Sequence, residues 1–214
     1  MLSRASCIEL CNHLPTALRP FLCGAQLHGL HKNNGYLRPI AVGCTYRRLV
    51  AKFCLRPYIS RLRELLQPSQ LGVGTPRGCE AAVHATRSFR AQTKGEKVLL
   101  KRDVKNAFNS IRRDPVLQAT QTHLPDIYPF IWDCYSSKSS FFHGDFCLDS
   151  ATGVQQGDPL GPALFALAIH GVTSEVKSDL NVWYLDDGCI GRDPQTVLSN
   201  VAIIRNGLSP DCAQ

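Results

Sequence analysis

Val182-Trp-Tyr-Leu-Asp-Asp-Gly-Cys-Ile190 decides how this 214-residue chain reads. Two short apolar runs flank Asp186-Asp187-Gly188, and Asp-Gly between such runs is a strong hairpin signal. The pattern predicts strands at 181–185 and 188–190. Successive strand residues point to opposite faces, so a straight strand would separate the two carboxylates, whereas a tight turn presents both toward one point. Adjacent carboxylates repel, and holding them among apolar strands is costly unless cations neutralise them. The plain alternative is an exposed turn that uses aspartate for its turn chemistry.

A third carboxylate shifts the balance. Asp103 ends a predicted strand, Lys97 to Asp103, with the apolar core Val98-Leu99-Leu100. One aspartate at a strand end, beside an aspartate pair on a neighbouring hairpin, makes a three-carboxylate site. Such oxygen donors suit two Mg²⁺ ions, with Mn²⁺ as a possible substitute, and substrate phosphates complete the coordination. Two-metal sites stabilise both the attacking and the leaving oxygen of an in-line phosphoryl displacement.

The charge is unevenly placed. The net charge is +7, yet residues 1–107 hold 18 basic and 5 acidic side chains, and residues 108–214 hold 6 basic and 12 acidic ones. A basic half points to a polyanion partner, set against the plain alternative of chance clustering on a solvated surface. From Arg38 through Arg63 there are seven basic residues and no acidic one. Arg48, Lys52 and Arg56 stand at i, i+4 and i+8, on one helix face, a candidate track for phosphates.

The longest apolar run, Pro162 to Ile169, is far too short to span a membrane, and no signal peptide opens the chain. The ten cysteines form no C-x-x-C pair, and their scatter through apolar segments predicts reduced thiols in an intracellular protein. Cys7, Cys11, Cys23, His28 and His31 match no strong zinc spacing.

Along the chain, helices are expected at 4–18, 45–66, 78–92, 114–135 (with breaks at Pro125 and Pro129), 159–177 and 194–206. In the 45–66 helix the expected buried stripe is Tyr46, Leu49, Val50, Phe53, Leu62, Leu65 and Leu66, with Pro57 dividing it. Residues 20–35 read as loop, 37–42 as a strand and 141–146 as a hairpin turning at Gly144. Leu71-Gly-Val-Gly-Thr-Pro reads as a turn-rich connector. Strands and helices mix without regular alternation, which favours α+β.

Five blocks in order resemble a known family. His31-Lys-Asn-Asn-Gly-Tyr-Leu-Arg-Pro-Ile-Ala-Val-Gly43 and Gln70-Leu-Gly-Val-Gly-Thr-Pro-Arg-Gly-Cys-Glu80 resemble the two fingers blocks of reverse transcriptases. Leu100-Lys-Arg-Asp-Val-Lys-Asn-Ala-Phe-Asn-Ser110, Thr152-Gly-Val-Gln-Gln-Gly-Asp-Pro-Leu-Gly-Pro162 and Tyr184-Leu-Asp-Asp187 resemble palm motifs A, B and C. The chain resembles most the enzymes of non-LTR (LINE-type) retrotransposons, over about residues 27–208. The resemblance implies a right-hand polymerase with an antiparallel palm sheet, fingers mostly in 1–96 and palm mostly in 97–214. It implies that Asp103, Asp186 and Asp187 are the catalytic, metal-binding carboxylates. Lys32 and Arg38 match residues that contact the incoming triphosphate, Phe108 the aromatic steric gate, and Gln156 and Gly157 the turn that abuts nucleotide and template. The implied partners are an RNA template, a DNA primer and deoxynucleoside triphosphates.

The chain also departs from the family pattern. No lysine follows Lys177 to serve as the usual motif D general acid, and few residues remain for a thumb. The reading is therefore an RNA-directed DNA polymerase module cut short, against the alternative of a non-catalytic nucleic-acid-binding remnant. An RNA-templated RNA polymerase shares the palm, but an aromatic ring at Phe108 argues against a ribose 2′-OH.

Overall fold

The computed structural model describes residues 17–31, 35–92, 94–104 and 106–208. The helix expected at 4–18 lies almost wholly outside them, as do Cys7, Cys11 and Lys32. The described chain is α+β and divides into two compact units. One gathers residues 1–58 and 112–164, the other 59–111 and 165–214. Each unit is thus built from two separate stretches.

The first unit carries a four-stranded sheet in the order β2-β1-β4-β5. A short helix α1 (Arg19–Cys23) leads into β1 (Ala25–His31), which pairs antiparallel with β2 (Leu37–Gly43). Strand β1 corrects the expected loop at 20–35. Its sequence, Ala-Gln-Leu-His-Gly-Leu-His, has no β-branched residue, and it becomes a strand through its pairing with β2 rather than through propensity. Strands β4 (Ser139–His143) and β5 (Phe146–Ser150) form the expected hairpin, and β4 joins β1 in parallel.

Helix α2 (Thr45–Leu55) follows β2, and the break expected at Pro57 is a 3₁₀ turn, Arg56–Tyr58, before α3 (Ile59–Leu66). The buried face of α2 is Arg47, Val50, Ala51 and Cys54, a clean i, i+3, i+4, i+7 set. This corrects the expected stripe, because Tyr46, Leu49 and Phe53 are exposed. An arginine opening the buried set disguised the true phase of the helix. Leu62 and Leu66 of α3 are buried as expected. Helices α4 (Gly78–Gln92), α5 (Ala107–Ser110), α6 (Arg113–His123) and α7 (Tyr128–Tyr135) follow, with strand β3 between α4 and α5. Pro129 lies inside the first turn of α7 rather than breaking it, as suits a residue with no N–H to donate.

In the second unit β3 (Val98–Asp103), β7 (Asp187–Arg192) and β6 (Leu180–Tyr184) make an antiparallel sheet in that order. Helix α4 covers one face, where Leu71, Leu180 and Val182 pack with Ala82, Ala85, Phe89 and Cys189. On the opposite face Trp183 is almost wholly buried and lies across Gly188, its cross-strand partner. A Cβ at residue 188 would meet the indole at 2.6 Å, so glycine makes room for the ring. Helix α8 (Gly161–Glu175) precedes β6, and α9 (Pro194–Gly207) follows β7.

Asp193 caps α9. Its carboxylate accepts from the backbone N–H of Thr196 at 2.9 Å and from the Thr196 hydroxyl at 2.7 Å. The backbone hydrogen bond first, and the hydroxyl second, hold its pKa below the usual carboxylate value. A depressed folded-state pKa stabilises above the unfolded value, and the gain is lost as pH falls through the folded one. Asp193→Ala should therefore lower the thermal midpoint at pH 7. In scans at successively lower pH, the gap to wild type should close in acid below the ordinary aspartate range.

Candidate active site

Strand register creates the carboxylate site. Asp103, the last residue of β3, sits directly opposite Asp187, the first residue of β7. Directly opposed residues point to the same face with Cβ atoms about 4.5–5.5 Å apart. Lys101, two residues before Asp103, shares that face, and its Nζ lies 3.8 Å from Asp187 Oδ1. Asp103 and Asp187 are exposed, and Tyr184, opposite Asp187, is 37% exposed. Helix α4 covers the other end of this face and leaves the carboxylate end open to solvent.

The turn is one residue earlier than expected. β6 ends at Tyr184 and β7 starts at Asp187, so Leu185 and Asp186 form a two-residue loop, and Asp187-Gly188 belongs to the strand. Leu185 adopts φ +57°, a left-handed conformation that costs a non-glycine residue roughly 1–2 kcal/mol. Surrounding contacts hold it there. The Gln70 side chain accepts from the Leu185 N–H at 2.8 Å and donates to its carbonyl at 3.1 Å. Beside it, Trp183 N–H donates to Ser69 O at 2.6 Å and Leu71 N–H to Trp183 O at 2.8 Å. The glycine-rich connector after α3 thus runs as a strap along β6.

Among the described residues, no three His, Cys, Asp or Glu side chains are gathered closely enough to hold a metal ion by themselves. The donor set nevertheless fits Mg²⁺. That ion takes one or two carboxylates together with water and substrate phosphates, not a closed protein cage. Exposed carboxylates in register, with a half-buried one in the adjoining turn, offer this kind of open, oxygen-only arrangement. Phe108, on α5, is half-buried and stacks on Phe165 with centroids 4.7 Å apart and planes 12° off parallel.

The remaining expected residues belong to the first unit. Arg38 is exposed on β2. Gln156 and Gly157 lie in the loop before α8, and Ala41 N–H of β2 donates to the Gln156 carbonyl at 2.8 Å. Gly157 has φ +127°, and a Cβ there would sit 2.6 Å from Ala41 O. Only glycine meets both demands, so its close approach is to β2 of its own chain. Lys52 and Arg56 are exposed, while Arg48 is half-buried. Lys52 is exposed on α2, as are Tyr46, Leu49 and Phe53, and Arg56 opens the 3₁₀ turn that follows.

A buried polar network that the sequence reading missed fixes this loop. Arg47 Nη2 pairs with Asp158 Oδ2 at 2.5 Å, with both side chains almost wholly buried. Arg47 Nη1 donates to Gln155 Oε1 at 2.8 Å and to Cys23 O at 2.7 Å. Tyr135 hydroxyl donates to Asp158 Oδ2 at 2.8 Å, and Gln155 Nε2 donates to Cys23 O at 2.8 Å. Burial works against the Arg47 charge, but the Asp158 carboxylate together with Cys134, Tyr135 and Cys23 outweighs it and holds the guanidinium more firmly protonated than usual. Burial, followed by the Asp158 charge, pushes the Tyr135 hydroxyl pKa well up. Upstream, Arg113 donates to the carbonyls of Gly153 and Ser137, each at 3.0 Å, and to the Ser150 hydroxyl at 2.9 Å. One signal was available: an aspartate just before Pro159 and an apolar run reads as a helix start, and Asp158 Oδ1 accepts the Leu160 N–H at 3.0 Å.

A family model described as reverse transcriptase (RNA-dependent DNA polymerase) matches residues 30–206. The retrotransposable element SLACS 132 kDa protein of Trypanosoma brucei gambiense is 27% identical over 191 residues, 84% of this chain and 16% of that protein. Telomerase from Candida albicans, solved with the TWJ fragment of telomeric RNA, superposes with a TM-score of 0.61 at 12% identity. That match covers 90% of this chain and 40% of the telomerase chain. Apo telomerase from Candida tropicalis, truncated from its C-terminal domain, gives 0.61 at 13% identity over 86% of this chain and 47% of its own. The fold is therefore shared with these telomerase structures, and the chain spans only 16% of its curated relative.

Breaking a buried ion pair by removing one partner strands the other charge and costs about 3–5 kcal/mol. Urea denaturation of Arg47→Met should show a loss of that size. Arg47→Met combined with Asp158→Leu should recover much of it.

Proposed function

Because the chain belongs to the reverse transcriptase (RNA-dependent DNA polymerase) family, matched over residues 30–206, we propose that it is a polymerase module adding deoxynucleotides to a primer 3′-OH. The observation that carries this reading is the register of β3 on β7, which sets Asp103 opposite Asp187 with Asp186 in the adjoining turn. Asp103, Asp186 and Asp187 would hold two Mg²⁺ ions, or Mn²⁺. When bound, such ions lower the pKa of the attacking hydroxyl and offset charge on the leaving pyrophosphate.

The chain's own residues serve the other needs of the reaction. The primer 3′-oxygen attacks the α-phosphate in line, and no covalent enzyme intermediate forms. Arg38, with Lys32 beyond the described residues, supplies positive charge for the triphosphate. The Gln156-Gly157 turn, pinned by Ala41 and by the Arg47–Asp158 pair, offers a rigid backbone to nucleotide and template. Phe108, held by its stack on Phe165, presents a fixed ring against a ribose 2′-OH and so favours deoxynucleotides. The implied partners are an RNA template and a DNA primer. A non-LTR retrotransposon origin is supported by the retrotransposable-element relative. An intracellular, reducing setting belongs to the same reading, from cysteines scattered through apolar segments without a C-x-x-C pair.

A second reading, nucleic-acid binding without turnover, is favoured by one observation. Lys52 on α2 and Arg56 in the turn after it are exposed, as are the rings of Tyr46 and Phe53 on the same helix, and exposed cations together with aromatic rings suit single strands.

Primer extension on an RNA template with Mg²⁺ and deoxynucleotides separates the two readings. Wild type should incorporate nucleotides and Asp186→Asn should not; equal incorporation by both sinks the catalytic assignment. Lys52→Ala/Arg56→Ala should weaken nucleic-acid binding and flatten its log–log salt slope by about 0.7–0.9 per lost phosphate contact. An unchanged slope would make this face ordinary solvated surface.

A further inference from the structure

We propose that Gln70 is a positioning residue for the Asp186-Asp187 turn; this rests on the polymerase reading of that turn. Gln70 is fully buried although its side chain is polar. Its amide is spent on the backbone of Leu185 and of Gly72. Oε1 accepts from Leu185 N–H at 2.8 Å and from Gly72 N–H at 2.9 Å, and Nε2 donates to Leu185 O at 3.1 Å. Leu185 immediately precedes the two aspartates and is held in the left-handed conformation that sets their direction.

The strap supports the same point in two further ways. Gln70 bridges to Trp183 in parallel fashion, so residues 69–71 follow the end of β6 up to the turn. Gly72 lies against Leu185: a Cβ there would fall 2.7 Å from Leu185 Cγ and Cδ2 and 2.8 Å from its backbone nitrogen. The turn is thus gripped at its N–H, its C=O and its side chain by one segment. A carboxamide of this length is required. Glutamate keeps the acceptor but loses the donor, asparagine is one methylene short, and alanine loses both contacts. Gln70 itself contacts only backbone, so it acts through Leu185 on where Asp186 and Asp187 lie. Groups that orient ligand-bearing residues in this manner are worth about 10- to 100-fold in metal affinity or activity.

The test compares wild type with Gln70→Glu, Gln70→Ala and Gly72→Ala, which crowds the turn without removing the carboxamide. Four quantities are read: the thermal midpoint, hydrogen exchange at the Leu185 amide by NMR, Mn²⁺ binding by electron paramagnetic resonance, and primer extension resolved into kcat and KM. In the variants that fold, Leu185 exchange should accelerate. Mn²⁺ affinity and kcat per folded molecule should fall by about 10- to 100-fold, while KM for primer–template holds. Lower thermal midpoints with unchanged exchange, Mn²⁺ affinity and kcat would assign Gln70 to stability alone and overturn the proposal. If the Gln70 variants do not fold, Gly72→Ala decides by the same readouts. A wild type that neither binds Mn²⁺ nor extends primer overturns the polymerase reading and this proposal with it. An active wild type with indistinguishable variants overturns only the role of Gln70.

Discussion

A one-residue slip between β3 and β7 would turn Asp103 and Asp187 to opposite faces of the sheet, because side chains alternate along a strand. Everything proposed for the second unit depends on that register, and other contacts fix the place of β7, one of its two strands. Trp183 fits only over a glycine, and Gly188 is the residue opposite it. Phe89 presses against Gly191, where a Cβ would meet its ring at 2.5 Å. The same face carries an apolar half under α4 and a charged half in the open, so a shift by two residues would drag carboxylates toward Ala82, Ala85 and Phe89.

The first unit solves a different problem with a polar core. Arg47, Asp158, Tyr135 and Gln155 are hydrogen-bonded into one network beneath the loop that carries Gln156 and Gly157, with Arg47 Nε left without a partner. An ion pair of this kind is weak support for stability, since desolvating two charges offsets most of their attraction. What it supplies is direction: each hydrogen bond has one partner at one angle, whereas apolar packing would let the loop settle in several ways. Cys23 O accepts from both Arg47 and Gln155, which ties the end of α1 into the same arrangement.

Much of this was legible in the sequence, and the failures have physical causes. The helices at 78–92 and 194–206 and the hairpin turning at Gly144 announced themselves through period and turn chemistry. Asp103 and Asp187 could be expected together because each stands at a strand end. The true turn, Leu185-Asp186, was hidden because leucine is a poor left-handed residue and Asp187-Gly188 is the better turn signal; tertiary contacts from Gln70 override that local preference. β1 was missed because its residues carry little strand propensity, and α2 was misphased because its buried face includes an arginine whose partner lies 111 positions away. Gln70 opens a block with a family resemblance, but nothing in the sequence marked its grip on Leu185, since a buried glutamine looks like any surface glutamine until its partners are known.

The grip of Gln70 on Leu185 spans 115 positions of sequence. A hairpin closed by a two-residue loop ordinarily forms early and locally, from its own strands. This one requires a distant strap to hold its turn, so its final shape waits on the closure of a long loop, with the entropy that closure costs. During synthesis Gln70 emerges well before Leu185, and the strap has no turn to hold until β6 and β7 are made. The carboxylates therefore take up their working arrangement only once this long loop has closed, and a chain in which it is open carries its acidic hairpin without the geometry that would let it act.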